Sequence, residues 1–336
     1  MVESFDFERI GVETGMSGVL HRLTLEYDVE EKDSPASVVS KHSSMDADRR
    51  TRSKPSNTVE NMFYKNLVKD IGADVPRMHF SAMDDDTAEC LLLLEDLGHL
   101  RSVGQTEDCS TEDALSVLRG ISRIHAHFWS GGPGFDQIPD YLIDRSTSKI
   151  STENMERYLE PFVELTGDVL PEGIEGLARQ VTPKLSEVIQ MVYTPPITLI
   201  HGDLKLMNMF FDDSVADPPG VVLYDWQALM AAKASLDVSY FISTNFSTER
   251  RRMIEGELFD SYHQLLVDQG VKNYSLDEMM YDVRVAMLPR LAQRVITTVV
   301  SGEAMRSTEE GMANTRAMVE SLQTLIDWNC DEVIPR

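Results

Sequence analysis

The hydrophobic period of this chain changes once, after Gly98, and that change limits the possible fold more than any other feature. Before it, apolar residues come in short alternating runs. Residues 19–27 alternate as a half-buried strand should, and residues 37–41 form a second apolar run beyond an acidic turn. Residues 77–82 and 90–94 complete a small sheet across the turn Asp84-Asp85-Asp86. Between these strands, residues 43–57 are polar and basic (Arg49, Arg50, Arg52, Lys54) and contain a proline, so a loop is predicted there. Asn57 is then expected to cap a helix with Val59, Met62, Phe63, Leu67 and Val68 on one face.

After Gly98 the period is helical. Ala114, Leu115, Leu118, Ile121, Ile124 and Phe128 predict one helix within 111–130, ended by the glycines at 131, 132 and 134. Residues 151–193 read as two helices divided at 170–173, and residues 198–200 as a short buried strand. Further helices are predicted near 247–269, 276–303 and 307–328. The expectation is an α+β architecture: a small strand-rich lobe over 1–95, joined through one extended linker to a larger, mostly helical lobe over 96–336.

Charge narrows the range of partners. The chain has 336 residues and a formal net charge of −25, which opposes binding to nucleic acid or anionic membranes. Either a solvated acidic surface or attraction of a cationic small molecule accounts for it. Cys90, Cys109 and Cys330 are too scattered for a disulfide framework or a zinc site. No apolar stretch reaches the ~20 residues that cross a bilayer, and the N-terminus lacks a signal pattern, so a cytoplasmic protein, monomeric or homodimeric, is expected.

The segment His201-Gly202-Asp203-Leu204-Lys205-Leu206-Met207-Asn208, with the apolar run 221–224 and then Asp225, carries the chemistry. It follows the pattern H-x-D-x-x-x-x-N plus a later acid, which serves phosphoryl transfer. A nucleoside triphosphate brings Mg²⁺, which needs hard oxygen ligands; Asn208 and Asp225 fit that part. A separate carboxylate must orient the acceptor hydroxyl and take its proton, and Asp203 fits that one. His201 is expected to hold the loop backbone.

These residues, together with Leu91-Leu92-Leu93-Leu94-Glu95-Asp96-Leu97, Asp225-Trp226-Gln227, His125 to Trp129 and Asp237 to Phe241, resemble small-molecule kinases of the aminoglycoside-phosphotransferase and choline-kinase type. The resemblance is strongest to the ecdysteroid-kinase-like branch. It implies a bilobal protein-kinase-like fold, ATP and Mg²⁺ as cofactors, and a small-molecule hydroxyl as acceptor. Sterol-like alcohols, aminoglycosides and choline-like amino alcohols are the acceptor classes it suggests. A nucleotide-binding pseudokinase or scaffold without turnover is the alternative from another class, and a protein kinase is a third.

In that context Lys41, at the end of a strand, is expected to reach the α- and β-phosphates and to pair with Glu60 on the following helix; His42 is its rival. Gly15, Ser17 and Gly18 connect the first strands and are expected to cover the β- and γ-phosphates. Backbone groups of Glu95 and Leu97 are expected to meet the base, and Lys205 the γ-phosphate. Asp237 is expected to brace the catalytic loop. Trp226 and Gln227 stand where protein kinases have Phe-Gly, which implies a site assembled without a flipping loop.

Overall fold

The computed structural model describes residues 1–11, 18–29, 32, 34–71, 74–104, 109–143, 150–215, 219–300 and 309–336. Its N-terminal part is a five-stranded antiparallel sheet in the order β1-β2-β3-β5-β4. The strands are β1 (Val2–Ile10), β2 (Val19–Tyr27), β3 (Ser37–His42), β4 (Met78–Met83) and β5 (Cys90–Glu95). Register places Lys41 of β3 opposite Leu20 of β2 and Leu92 of β5. Cross-strand partners share a face, so Lys41 lies on the side where Leu92 is buried.

The expected loop over 43–57 is instead the first part of α1 (Ala47–Met62). Asp46, not Asn57, caps it, accepting the Arg49 N–H at 2.8 Å. Asn57 is inside the helix and buried. The basic run does not float: Arg50 donates to the Met45 carbonyl at 2.9 Å, and Lys54 to the Asp85 carbonyl at 2.6 Å. Basic side chains that looked like the mark of an exposed loop thus tie the helix to the acidic β4–β5 turn. Pro55 sits in the middle of the helix, where sequence rules expect a break.

The C-terminal part is mainly helical. It contains α2 (Thr111–His127), α3 (Asp140–Ile143), α4 (Thr152–Thr166), α5 (Ile174–Val181), α6 (Leu185–Val192), α7 (Ser235–Thr244), α8 (Thr248–Asp268), α9 (Leu276–Val300), α10 (Glu309–Glu320) and α11 (Gln323–Asp327). The second helix expected in 151–193 is two, α5 and α6, because a 3₁₀ turn at Thr182–Lys184 carries Pro183. Two small two-stranded antiparallel sheets punctuate the helices. β6 (Thr198–Ile200) pairs with β9 (Met230–Ala232), and β7 (Met209–Asp212) with β8 (Gly220–Leu223). Helix α9 runs through the core, burying Val283, Ala286, Leu288, Leu291 and Val295 against its neighbours. Among the described residues no helix is long and apolar enough to cross a membrane.

Candidate active site

Strand β6 is fully buried and delivers the chain into the loop at His201. Gly202 has a φ of +83°, and an added Cβ would collide with the Ala228 carbonyl, so only glycine serves there. The turn is held from beneath by Asp237, near the start of α7, which is fully buried. Its carboxylate accepts the His201 N–H at 2.7 Å and the Gly202 N–H at 2.8 Å. His125 Nε2 lies 3.3 Å from the same carboxylate, and His125 Nδ1 is 2.6 Å from the Tyr262 hydroxyl. Burial alone would raise the Asp237 pKa, but His125, His201 and the Gly202 N–H outweigh it and keep the carboxyl ionised below its ordinary range. The expected brace and the packed His125 are therefore one network.

His201 points the other way. Its Nδ1 accepts the Asp203 N–H at 3.3 Å, which leaves Nε2 to donate to the Tyr224 carbonyl at 2.9 Å. That bond spans from the loop to the end of β8. A second link joins the same two segments, since the Tyr224 N–H donates to the Asn208 carbonyl at 3.0 Å.

These ties bring the three expected polar groups into one place. Asn208 Nδ2 donates to the Asp203 backbone carbonyl at 2.9 Å and to Asp203 Oδ2 at 3.0 Å. Lys205 Nζ lies 2.9 Å from Asp203 Oδ2. Burial pushes the Asp203 pKa up, yet Lys205, His201 and Arg290 prevail and hold it below the usual carboxylate value. Asp225 follows β8 with a left-handed φ of +65°, which turns the chain sharply after the strand.

Lys41 closes the arrangement from the sheet. Its Nζ is 2.8 Å from Glu60 and 2.8 Å from Asp225, bridging α1 and the post-β8 turn. Burial would lower its pKa, but the two carboxylates reverse the effect and raise it. Below this bridge the Phe63 and Trp226 rings stack at 4.0 Å and 18°, and Trp226 is also 4.5 Å from His201. His42, the rival to Lys41, faces away from this bridge, with Nε2 3.2 Å from His21 Nδ1.

Other expected contacts divide. Gly18 lies against Lys41, whose side chain would be 3.6 Å from an added Cβ. Gly15 and Ser17 lie outside the described residues. Leu97 is buried, whereas the Glu95 N–H is already donated to the Arg77 carbonyl at 2.8 Å. Asp96, given no role from sequence, clamps the linker: it accepts from Arg22 at 2.7 Å and from the Ser37 hydroxyl at 2.6 Å.

Sequence reasoning also missed Arg290 and Arg294 on α9. Arg290 donates to the Gly202 carbonyl at 3.0 Å, and its guanidinium lies 4.3 Å above the Tyr240 ring. Their i, i+4 spacing on a predicted helix was the available signal. Both line a cavity of about 190 Å³ between α7, α9 and α10. A larger cavity of about 480 Å³ lies at His42, Arg50 and Cys90. Neither wall contains a residue of 201–208, and the smaller cavity is tied to that loop through the Arg290–Gly202 hydrogen bond.

The donor set suits a magnesium-bound triphosphate. Asn208 uses its amide nitrogen on Asp203, which leaves its carbonyl oxygen for a cation, and Asp225 supplies a carboxylate. Among the described residues no cluster of three His, Cys, Asp or Glu side chains could hold a metal. Two protein ligands completed by phosphate oxygens and water is the way Mg²⁺ is usually held.

Solved structures share this fold. A candidate aminoglycoside phosphotransferase from Ralstonia eutropha aligns over 100% of this chain and 96% of its own, at 13% identity and a TM-score of 0.58. An amicoumacin kinase in complex with AMP-PNP, Ca²⁺ and Ami covers 96% and 89%, with 13% identity and a TM-score of 0.58. An ethanolamine kinase from Plasmodium vivax covers 94% and 82%, with 9% identity and a TM-score of 0.54. Among curated proteins none matches the chain. The model of the ecdysteroid kinase-like family matches residues 13–273, most of the sequence, and the chain belongs to that family.

Proposed function

We propose that this protein transfers the γ-phosphoryl group of ATP, with Mg²⁺, to a hydroxyl of a small molecule in the cytoplasm. Family membership and fold support a kinase-like phosphotransferase of small molecules. The finer reading rests on one observation: Asp203, Asn208 and Asp225 converge on a loop whose other side meets the Lys41–Glu60 pair. In this reading residues 1–95 hold the nucleotide and residues 96–336 supply catalysis and the acceptor site.

The roles follow from position. Asn208 Oδ1 and Asp225 would hold Mg²⁺, which when bound neutralises phosphate charge and fixes the triphosphate geometry. Lys41 holds the α- and β-phosphates and is itself oriented by Glu60. The Gly18 backbone covers the triphosphate, with Gly15 and Ser17 assigned the same part from sequence. The linker at Glu95 and Leu97 borders the base. Asp203 orients the acceptor hydroxyl and accepts its proton. A carboxylate held below its ordinary pKa is a weak base, so proton transfer comes late, after the acceptor oxygen has lost electron density to phosphorus. Most of the acceleration then comes from alignment and charge neutralisation. Lys205 steers the γ-phosphate and keeps Asp203 ionised.

Asp203→Ala should lower turnover by roughly 10²–10⁴-fold while nucleotide binding, followed by calorimetry, persists. Asp225→Ala should instead lose Mg²⁺-dependent nucleotide affinity. Wild-type turnover of an accepted alcohol by the Asp203 variant would overturn the assignment.

A further inference from the structure

Arg290 and Arg294 are an anomaly in this protein. Acidic residues outnumber lysines and arginines 56 to 31, and several other arginines are matched by acids. Arg22 pairs with Asp96, Arg101 with Asp113, and Arg251 with Asp327. Among the described residues Arg290 and Arg294 have no carboxylate partner. Yet they stand one helical turn apart on α9, in the wall of the cavity beside the catalytic loop.

Their hydrogen bonding is also incomplete. Each guanidinium has five N–H groups and no use for a donor. Arg290 is fixed by the Gly202 carbonyl, Gln293 and the Tyr240 ring, while its Nε is buried with no partner among the described residues. Arg294 Nη1 is met by the Met318 sulfur at 2.8 Å, a weak acceptor for a strong donor. Its guanidinium also hydrogen-bonds the Tyr240 side chain, which leaves several of its five N–H groups to be met. A brace for the Gly202 carbonyl requires one N–H, not two desolvated guanidinium groups. Burial, together with Arg290, makes the Arg294 charge harder to hold, despite opposing help from Tyr240 and Asp203. An oxyanion from outside the chain would satisfy both groups at once.

We propose that the acceptor is an anionic alcohol, carrying a carboxylate or phosphate that Arg290 and Arg294 grip while its hydroxyl reaches Asp203. This rests on the phosphotransferase reading above and narrows its acceptor. The Thr298 hydroxyl lines the same cavity and can add a hydrogen bond to such a group, whereas Ser243, Thr244 and Thr297 donate theirs to backbone carbonyls. At about 190 Å³ the cavity is smaller than the ~300–1,000 Å³ of drug-sized sites, so it takes a compact acceptor or the charged end of a longer one. A cationic amine placed there would meet two like charges. The acidity of the chain as a whole therefore does not describe its acceptor site.

The test uses the full-length protein with ATP and Mg²⁺ and acceptors of equal length that differ only in the end group. These are ω-hydroxyhexanoate, ω-hydroxyhexyl phosphate, methyl ω-hydroxyhexanoate and ω-aminohexanol. ATP consumption and mass detection of the phosphorylated product are followed for each. At least one anionic acceptor should exceed the ester and the amine in kcat/KM by roughly ten- to hundredfold. Arg294→Met should erase that preference by raising the acceptor KM, and Arg294→Lys should restore part of it. Which anion wins separates carboxylate from phosphate chemistry.

Equal use of the ester or amine, or an anion preference that survives Arg294→Met, overturns the proposal and leaves the phosphotransferase reading standing. A KM change confined to ATP also overturns it, because the arginines would then grip the nucleotide's phosphate. If no acceptor of any charge is used above the Asp203→Ala level, the phosphotransferase reading fails, and the acceptor assignment with it.

Discussion

Two sets of cations flank the catalytic loop, and they are held in opposite ways. On the sheet side, Lys41 sits between Glu60 and Asp225, 2.8 Å from each. On the helical side, Arg290 and Arg294 line a cavity and, among the described residues, have no ion-paired acid, Asp203 acting on them only from a distance. A matched cation is a positioned part of the protein, with its desolvation already offset by its neighbours. An unmatched one bears that cost until a ligand arrives. The same local charge therefore contributes to stability in one place and, in the proposed reading, to recognition in the other.

Removing each cation separates these cases. Lys41→Met should cost about 3–5 kcal/mol in urea denaturation, because Glu60, 2% exposed, loses its ion-pair partner. Adding Glu60→Gln to that variant should recover most of the loss, as the uncompensated charge is then gone. A double variant no more stable than Lys41→Met would show that packing, not matching, sets the cost.

The Asp327 cluster tests matching far from the cleft. Asp327 accepts from Arg252 at 2.8 and 2.7 Å and also pairs with the buried Arg251. Burial opposes its ionisation, but Arg252, Gln323 and Arg251 take the carboxyl from the ordinary 3.8 down to about 2. Its folded pKa is depressed, so the stabilisation is complete above the unfolded value and disappears as pH falls through about 2. Asp327→Asn should cost about 2 kcal/mol at pH 7 and roughly half of that at pH 3. A deficit that does not shrink with acid would mean the charge is not its source.

Arg294→Met should have the smallest effect on folding. Stability should equal that of the wild type or exceed it by roughly 1 kcal/mol, since a desolvated charge is removed and a thioether of similar length fills its place. A large loss would place Arg294 with Lys41 as a structural cation and end the contrast.

Much of the frame was legible in the chain. Period-2 alternation located β2, a short apolar run beyond an acidic turn located β3, and the spacing of polar residues from His201 to Asp225 located the loop and its partners. Lys41 and Glu60 were paired because the helix follows the strand directly, although Glu60 is in the last turn of α1 and not near its start. Elsewhere local signals misled. Residues 47–57 are helical because Asp46 caps them and the acidic β4–β5 turn holds Lys54, a partner 31 residues away that local composition does not reveal. Arg290 and Arg294 read as ordinary helix charges. Their meaning comes from what they lack, and a missing partner appears only in three dimensions.

The stacked pair Phe63–Trp226 has a consequence for how this enzyme can change. One ring continues the helix that carries Glu60, and the other follows Asp225 directly. The rings act as a rivet between the segment that orients the lysine and the turn that would face the metal. A substitution or small molecule that tilts that helix is therefore felt at residue 225 at once, and neither segment can be retuned without the other. If α9 binds the acceptor as proposed, adaptation to new acceptors has its freer ground there, away from the rivet.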